Sequence, residues 1–160
     1  MAYPRFRRAR AHKVGRRTTG NVSITSSTWT NLDNGLDIAL EAQVGDLIEV
    51  GINGLWGAEA VTGYLDVVTV VATVPVNQVS SGAAETGTSE GAVGWTGVSG
   101  SVSPVSGSLM YSIVNGDLAS LVVTLRIRVR GSSASAKTVY ANTNEPFQFW
   151  AKNLGPADPN

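Results

Sequence analysis

Three arginines alternate along one segment of the sequence, LVVTLRIRVR at 121–130. In a strand, Arg126, Arg128 and Arg130 share one face at intervals of about 6.6 Å, twice the rise per residue, while apolar residues occupy the other face. Guanidinium groups bind carboxylates and phosphates through paired hydrogen bonds. The row is therefore interpreted either as an outer strand face that pairs with neighbouring carboxylates, or as a contact stripe for an acidic partner or nucleic acid.

A second concentration of cations lies at the N-terminus, where seven of the twelve Lys and Arg residues fall within the first seventeen positions. These cations are Arg5, Arg7, Arg8, Arg10, Lys13, Arg16 and Arg17, and the aromatic residues Tyr3 and Phe6 stand among them. No Asp or Glu occurs in this stretch, whereas the remainder has five Lys and Arg against twelve Asp and Glu. A basic segment joined to an acidic body indicates docking on an acidic surface.

Two kinds of acidic partner fit this segment. Its cations can neutralise phosphates and its aromatic rings can stack on bases, as in a nucleic-acid-binding arm. An acidic body repels a polyanion, however, so the charge distribution favours docking on an acidic protein. Nucleic acid remains the alternative partner.

Catalytic chemistry has few candidate residues. His12 is the only histidine and lies in the basic segment, and the chain has no cysteine. A pair of carboxylates could supply the acid and base of a glycan hydrolase, but the spacing of the candidates gives no sign that they converge. The candidates are Asp33, Asp37 and Glu41 around the first predicted turn, and Glu49, Glu59 and Asp66 in or near strands. No phosphate-binding glycine motif or metal-ligand spacing is present. We therefore predict no enzyme, no catalytic residue, no cofactor and no metal.

The elements that position these residues are predicted to be strands, because apolar residues recur with period two from Asn21 onward and Asn-Gly pairs punctuate the runs. The candidate strands are 21–29, 35–41, 46–53, 63–74, 93–98, 108–114, 120–130, 136–141 and 146–152. This number and spacing favour an all-β fold, an antiparallel jelly-roll sandwich. Residues 1–19 are predicted to form an extended basic arm, and 20–160 the sandwich domain.

A Gly/Ser-rich loop is predicted near 75–92, within the weakly apolar stretch 75–107. Its segment 80–91 has almost no apolar content, which is typical of a mobile surface loop. Whether this segment binds a receptor or a glycan stays open.

Two strands are apolar on both faces, which a free antiparallel sandwich does not require. The residues predicted to form an oligomer interface are Tyr64, Val68, Val70, Phe147, Phe149 and Trp150. Another copy of the chain is the simplest cover for such faces, and a trimer is expected by analogy with other jelly rolls. The alternative is a monomer in which the loop 75–107 folds back over these strands.

The sequence resembles small virion-surface proteins of tailed bacteriophages of actinobacteria. The resemblance rests on PRFRRARAHKVGRR at 4–17, VGDLIEVGINGLW at 44–56, NGDLASLVVTLRIRVR at 115–130 and PFQFWAKNLGP at 146–156. The Gly-Asp strand openings are also similar to those of tumour-necrosis-factor-like and C1q-like trimeric jelly rolls. The resemblance implies a structural, trimeric capsid-decorating or tail-associated protein, attached by its arm to a major capsid or tail protein.

This resemblance implies a location in the virion. No apolar stretch follows the N-terminal cations, so no signal peptide is predicted, and the longest apolar run is too short and interrupted to span a membrane. Three alternatives remain: a coat protein whose arm binds packaged nucleic acid, a carbohydrate-binding adhesin, and a glycan hydrolase. The adhesin would use Trp56, Trp95 or Trp150.

Overall fold

In the computed structural model, residues 11–25, 27–58, 62–69, 88–96, 101–132 and 137–156 are described, and within them the chain is built of antiparallel strands with no α-helix. The all-β sandwich prediction is confirmed. In chain order the strands are β1 (Ala11–Arg17), β2 (Val22–Ile24), β3 (Thr30–Asn31), β4 (Ile38–Glu41), β5 (Asp46–Ala58), β6 (Thr62–Thr69), β7 (Thr88–Thr96), β8 (Ser101–Ser112), β9 (Leu118–Ala119), β10 (Val122–Gly131), β11 (Lys137–Tyr140) and β12 (Phe147–Pro156). Short 3-10 helices occupy Asn34–Leu36 and Asn115–Asp117.

The first sheet is organised around the long strand β5. β8 pairs along one side of β5, while β12 and β11 share the other side. β1 pairs with β12 and β2 pairs with β11, which places β1 and β2 at the margins. The first sheet therefore brings the N-terminal and C-terminal strands together.

The second sheet is organised around β10. β4 and β3 pair along one side of β10, β9 and β6 along the other, and β7 pairs with β6. The arginine row of β10 therefore lies in the middle of a sheet, with strands on both sides.

The core fills the space between the two sheets. Alternate residues of each central strand face inward and are almost fully buried, which is the pattern of two packed antiparallel sheets. The inward residues of the three central strands are Ile48, Val50, Ile52, Val123, Leu125, Ile127, Val129, Phe147, Phe149 and Ala151. At roughly 1.5–3 kcal/mol per buried aliphatic or aromatic side chain, this layer is the main source of stability.

Part of the predicted oligomer interface is wrong. Phe147 and Phe149 have 0% exposure within a single chain, because they point between the sheets. Trp150, on the opposite face of β12, is half-buried. Tyr64 and Val68 lie in β6, and Val70 lies outside the described residues.

The predicted arm also needs correction where the structure describes it. Ala11–Arg17 form β1, which pairs with β12 through the whole of its length, so this half of the segment belongs to the sheet. β1 forms without an apolar pattern because its backbone hydrogen-bonds to β12. For residues 1–10, which lie outside the described residues, the arm stays a prediction.

The predicted loop is shorter than expected. Thr88–Gly91 lie in β7 opposite β6, and residues 101–107 lie in β8 opposite β5. The ladder hydrogen bonds are made by backbone groups, so Ser- and Gly-rich segments can pair although they lack an apolar pattern. Residues 70–87 and 97–100 lie outside the described residues, so the loop stays a prediction for 75–87 and 97–100.

Candidate interaction surfaces

The arginine row is largely internal. Arg126 and Asp37 form a buried ion pair in which Nη2 donates to Oδ2 at 2.6 Å and Nε donates to the same oxygen at 3.0 Å. A carboxylate that accepts two guanidinium N–H groups offsets the cost of removing both charges from water. Arg126 therefore agrees with the first interpretation of the row, in which the arginines pair with neighbouring carboxylates.

The next two arginines stack on an aromatic ring. The guanidinium carbon of Arg130 lies 4.6 Å from the centre of the Trp29 ring, and that of Arg128 lies 5.5 Å from it. Strand register also places Asp66 directly opposite Arg128. Because Arg126 and Arg128 are buried in one chain, neither is available as an exposed contact stripe. Sequence reasoning did not identify Trp29 and Asp37 as the partners of these arginines, since both lie far from β10 along the chain.

The outer face of the first sheet carries a half-buried tryptophan. The indole of Trp150 lies across Gly51, where a Cβ would overlap three adjacent indole atoms. Register places Val14 of β1 on one side of Trp150 and Ser108 of β8 beyond Gly51. Val14 is exposed, and Met110, two residues along β8, is 62% exposed. We call these four side chains, Val14, Trp150, Ser108 and Met110, the Trp150 face.

A shallow pocket borders this face. It measures about 260 Å³ and is lined by Trp150 together with Asn53, Ser106 and Ser108. A ring beside amide and hydroxyl groups is the arrangement that the adhesin alternative requires of Trp150. Trp56 and Trp95, the other two tryptophans of that alternative, lie in β5 and β7.

One cation of β1 lies beside the Trp150 face. Arg16 is exposed and lies two residues along β1 from Val14, on the same side of the strand. Lys13 is exposed too, but it pairs with Ala151, which points into the core, so Lys13 lies on the other side of β1. Arg17 forms an ion pair with Asp33 and donates from Nε to the Gly20 carbonyl at 2.7 Å. The structure thus brings Arg16 beside the Trp150 face. The cations Arg5, Arg7, Arg8 and Arg10, with Tyr3 and Phe6, lie outside the described residues.

Several carboxylates of the described body accept hydrogen bonds from within the chain. They are Asp33 (from Arg17), Asp37 (from Arg126), Asp46 (from the Gln43 N–H and Asn153) and Asp117 (from the Val114 N–H and the Thr69 hydroxyl). Asp46 and Asp117 are buried, and the carboxylate of Asp37 is almost inaccessible. Asp46 and Asp117 are therefore removed from the described surface. Of the acids considered for hydrolysis, Asp37 is paired with Arg126 and Asp33 with Arg17.

One end of the sandwich carries a larger open pocket, of about 440 Å³. Its walls are the connection between β4 and β5 and the turn between β9 and β10. The Ala42 N–H donates to the Leu121 carbonyl at 2.9 Å and ties the two walls together. Ser120, in the turn, has a φ of 61°, a value usual for glycine at the first central position of a type II′ turn.

Other kinds of site are not formed by the described residues. Among them no group of three or more His, Cys, Asp or Glu side chains is arranged to hold a metal ion. In the same part of the chain, no helix has the length and apolar character needed to cross a bilayer.

Comparison with known proteins finds likeness in fold but not in sequence. No protein-family model matches the chain, and no curated protein matches it. Among solved structures, Eiger TNF from S. frugiperda is similar with a TM-score of 0.47 and 13% identity, over 95% of this chain and 97% of that one. The infectious bursal disease virus VP2 subviral particle is similar with a TM-score of 0.42 and 8% identity, over 93% of this chain and 39% of that one.

Proposed function

We propose that the protein is a non-enzymatic structural component of a virus particle, one that decorates or stabilises a capsid or tail. In this proposal its copies associate through the Trp150 face, three to an assembly, and the basic N-terminal segment docks on an acidic protein surface. The resemblance of phrases along the sequence to virion-surface proteins and the jelly-roll sandwich both agree with this role.

The observation that carries the proposal is the composition of the Trp150 face. Val14, Trp150 and Met110 present apolar area on the outer side of the first sheet, where a free sandwich normally presents polar groups to water. Apolar surface contributes roughly 25 cal/mol per Å² when it is buried between subunits. The cation Arg16 at its margin adds charge, and charge sets the registry and the rate of association more than the affinity.

The experiment is a mass measurement of the full chain in solution, by light scattering after gel filtration. The proposal expects a trimer for the natural sequence and dissociation in Met110→Lys, because a charge would be buried in the interface. Met110 is 62% exposed in a single chain, so this substitution leaves the subunit folded. Thr143→Lys, in the exposed turn before β12, adds the same charge away from the face and should leave the mass unchanged. A natural chain that stays monomeric at every concentration tested refutes the oligomer.

The virion role is tested separately by locating the protein on intact particles. Antibody labelling in electron micrographs should mark the capsid or the tail, and particles lacking the protein should lose resistance to heat or low salt. Absence from purified particles would overturn the role even if the chain forms a trimer.

A coat protein that binds packaged nucleic acid is the second candidate. One observation favours it: Arg17, which belongs to the N-terminal group of cations, pairs with Asp33, so one carboxylate fewer on the body repels a polyanion. Binding of single-stranded and duplex nucleic acid by the full chain should then weaken steeply with salt, since released counterions drive such binding. At a fixed salt concentration, Arg16→Ala should bind nucleic acid more weakly than the natural chain, whereas Thr143→Ala should bind it equally well.

A further inference from the structure

Residues 1–10 join the sandwich at the end that carries the 440 Å³ pocket. β1 begins at Ala11, which pairs with Asn153 of β12. The Asn153 side-chain amide donates to the Glu41 carbonyl at 2.9 Å, and Glu41 lines the pocket. The start of β1 is therefore separated from the pocket wall by one strand pairing and one hydrogen bond.

This end of the sandwich also exposes large apolar side chains. Leu121 is 62% exposed and lines the pocket, and Val44 and Val114, in the connections that border it, are 58% and 57% exposed. The Gly45 N–H donates to the Ile113 carbonyl at 2.9 Å, which holds these two connections side by side. Apolar side chains gathered at one end of a domain indicate a surface that another chain segment covers.

The walls of the pocket are rigidly held, so it exists before anything fills it. Asp46 is buried and accepts hydrogen bonds from the Gln43 N–H at 3.0 Å and from the Asn153 amide at 2.9 Å. These bonds fix the connection between β4 and β5, while the Ala42 to Leu121 bond fixes the turn opposite. A preformed apolar pocket binds a side chain without paying to order its own walls.

The N-terminal segment has the matching chemistry and reach. Tyr3 and Phe6 are its aromatic residues, and four arginines surround them. The five residues Phe6 to Arg10, which precede β1, span at most about 17 Å when extended. This length is enough for the chain to fold back across the end of the sandwich. Glu41 is exposed at the pocket and offers a carboxylate to those arginines.

We propose that the pocket between the β4–β5 connection and the β9–β10 turn binds Phe6 of the same chain, with the adjacent arginines close to Glu41. Attachment through β1 keeps the segment at high effective concentration near its own pocket, so the same chain fills it before a second copy does. The proposal concerns the isolated chain and stands whether or not the protein belongs to a virion.

The test uses the absence of cysteine from the natural sequence. The full chain carrying both Arg7→Cys and Gln43→Cys keeps Phe6; it is oxidised with oxidised glutathione, and the products are separated under non-reducing conditions. Gln43 lines the pocket and is exposed, so its replacement leaves the fold intact. We expect an internal disulfide that forms at least tenfold faster than in the control, which carries the same pair of cysteines together with Phe6→Ala, because only the docking side chain differs between the two.

Each outcome bears on the proposal. An internal disulfide at a rate independent of protein concentration supports it. Covalent dimers as the main product would assign the pocket to the segment of a second copy. Equal rates in the two variants would show that the segment does not dock there. Either result overturns the proposal.

Hydrogen exchange gives an independent measure. Phe6→Ala in an otherwise natural chain should raise the rate of amide exchange several-fold in 118–122, whereas Ala2→Ser should not. Unchanged exchange in Phe6→Ala would contradict the docking.

Discussion

Arg126 and Asp37, eighty-nine residues apart in sequence, form an ion pair with 3% and 2% side-chain exposure on the side of β10 that faces away from the core. The pair explains why an arginine can occupy the middle of a sheet. It also makes each partner dependent on the other, since a lone buried charge is costly.

Removing one partner should therefore destabilise the protein strongly. Arg126→Met leaves the Asp37 carboxylate buried without its cation and should lower the free energy of unfolding by about 3–5 kcal/mol. The double variant Arg126→Met with Asp37→Leu should recover most of that loss, because an apolar pair replaces the ion pair. Urea unfolding of the natural chain, both single variants and the double variant measures the coupling. Arg16→Met, at an exposed position of β1, should change stability by less than about 0.5 kcal/mol.

The contact between Trp150 and Gly51 gives a second prediction. Gly51→Ala places a methyl group where the indole lies, so it should cost about 1–3 kcal/mol and change the tryptophan fluorescence. In a Trp150→Ala background the same substitution should cost much less, because the overlapping ring is gone. Gly116→Ala is the matched control, since a Cβ there meets nothing within 4 Å. An equal cost for Gly51→Ala with and without the indole would contradict the contact.

Two truncations test where the sandwich begins. Deleting residues 1–10 leaves β1 on β12 and removes only the docking of Phe6, so it should lower the thermal midpoint by roughly 2–4 °C at most. Deleting 1–17 removes β1, uncovers the edge of β12 and deprives Asp33 of Arg17, so it should lower the midpoint on the order of 10 °C and promote aggregation through the open edge. Thermal unfolding followed by circular dichroism distinguishes them. If both truncations behaved alike, β1 would contribute nothing to the sandwich.

The turn at Ser120 gives a prediction of increased stability. A non-glycine residue with φ near 61° has a steric cost of roughly 1 kcal/mol, so Ser120→Gly should raise the free energy of unfolding by about that amount. Ser108→Gly, in the interior of β8, should lower it by about 0.5–1 kcal/mol. Chemical denaturation of the two variants makes the comparison, and a loss of stability in Ser120→Gly would show that the serine has another role in the turn.

Some elements could be predicted because their signal is local. The alternation of apolar residues in 46–53 and 120–130 placed two central strands, and the core faces of both strands follow directly from it. β1, β3 and β9 were missed because they are short or polar, and their pairing depends on backbone groups of strands distant in sequence. Glycine inside β5 was an available signal for close approach: Gly51 lies under Trp150 and Gly57 under Tyr140.

The sequence by itself determined the fold class, the central strands and the concentration of cations at the N-terminus, because side-chain periodicity and charge are local properties of the chain. The tertiary structure decided which of two apolar faces meets the core, and so assigned Phe149 to the interior and Trp150 to the surface. It likewise decided that the Arg126 side chain is buried with Asp37, since a partner so far away along the chain is fixed only by how the sheets pack.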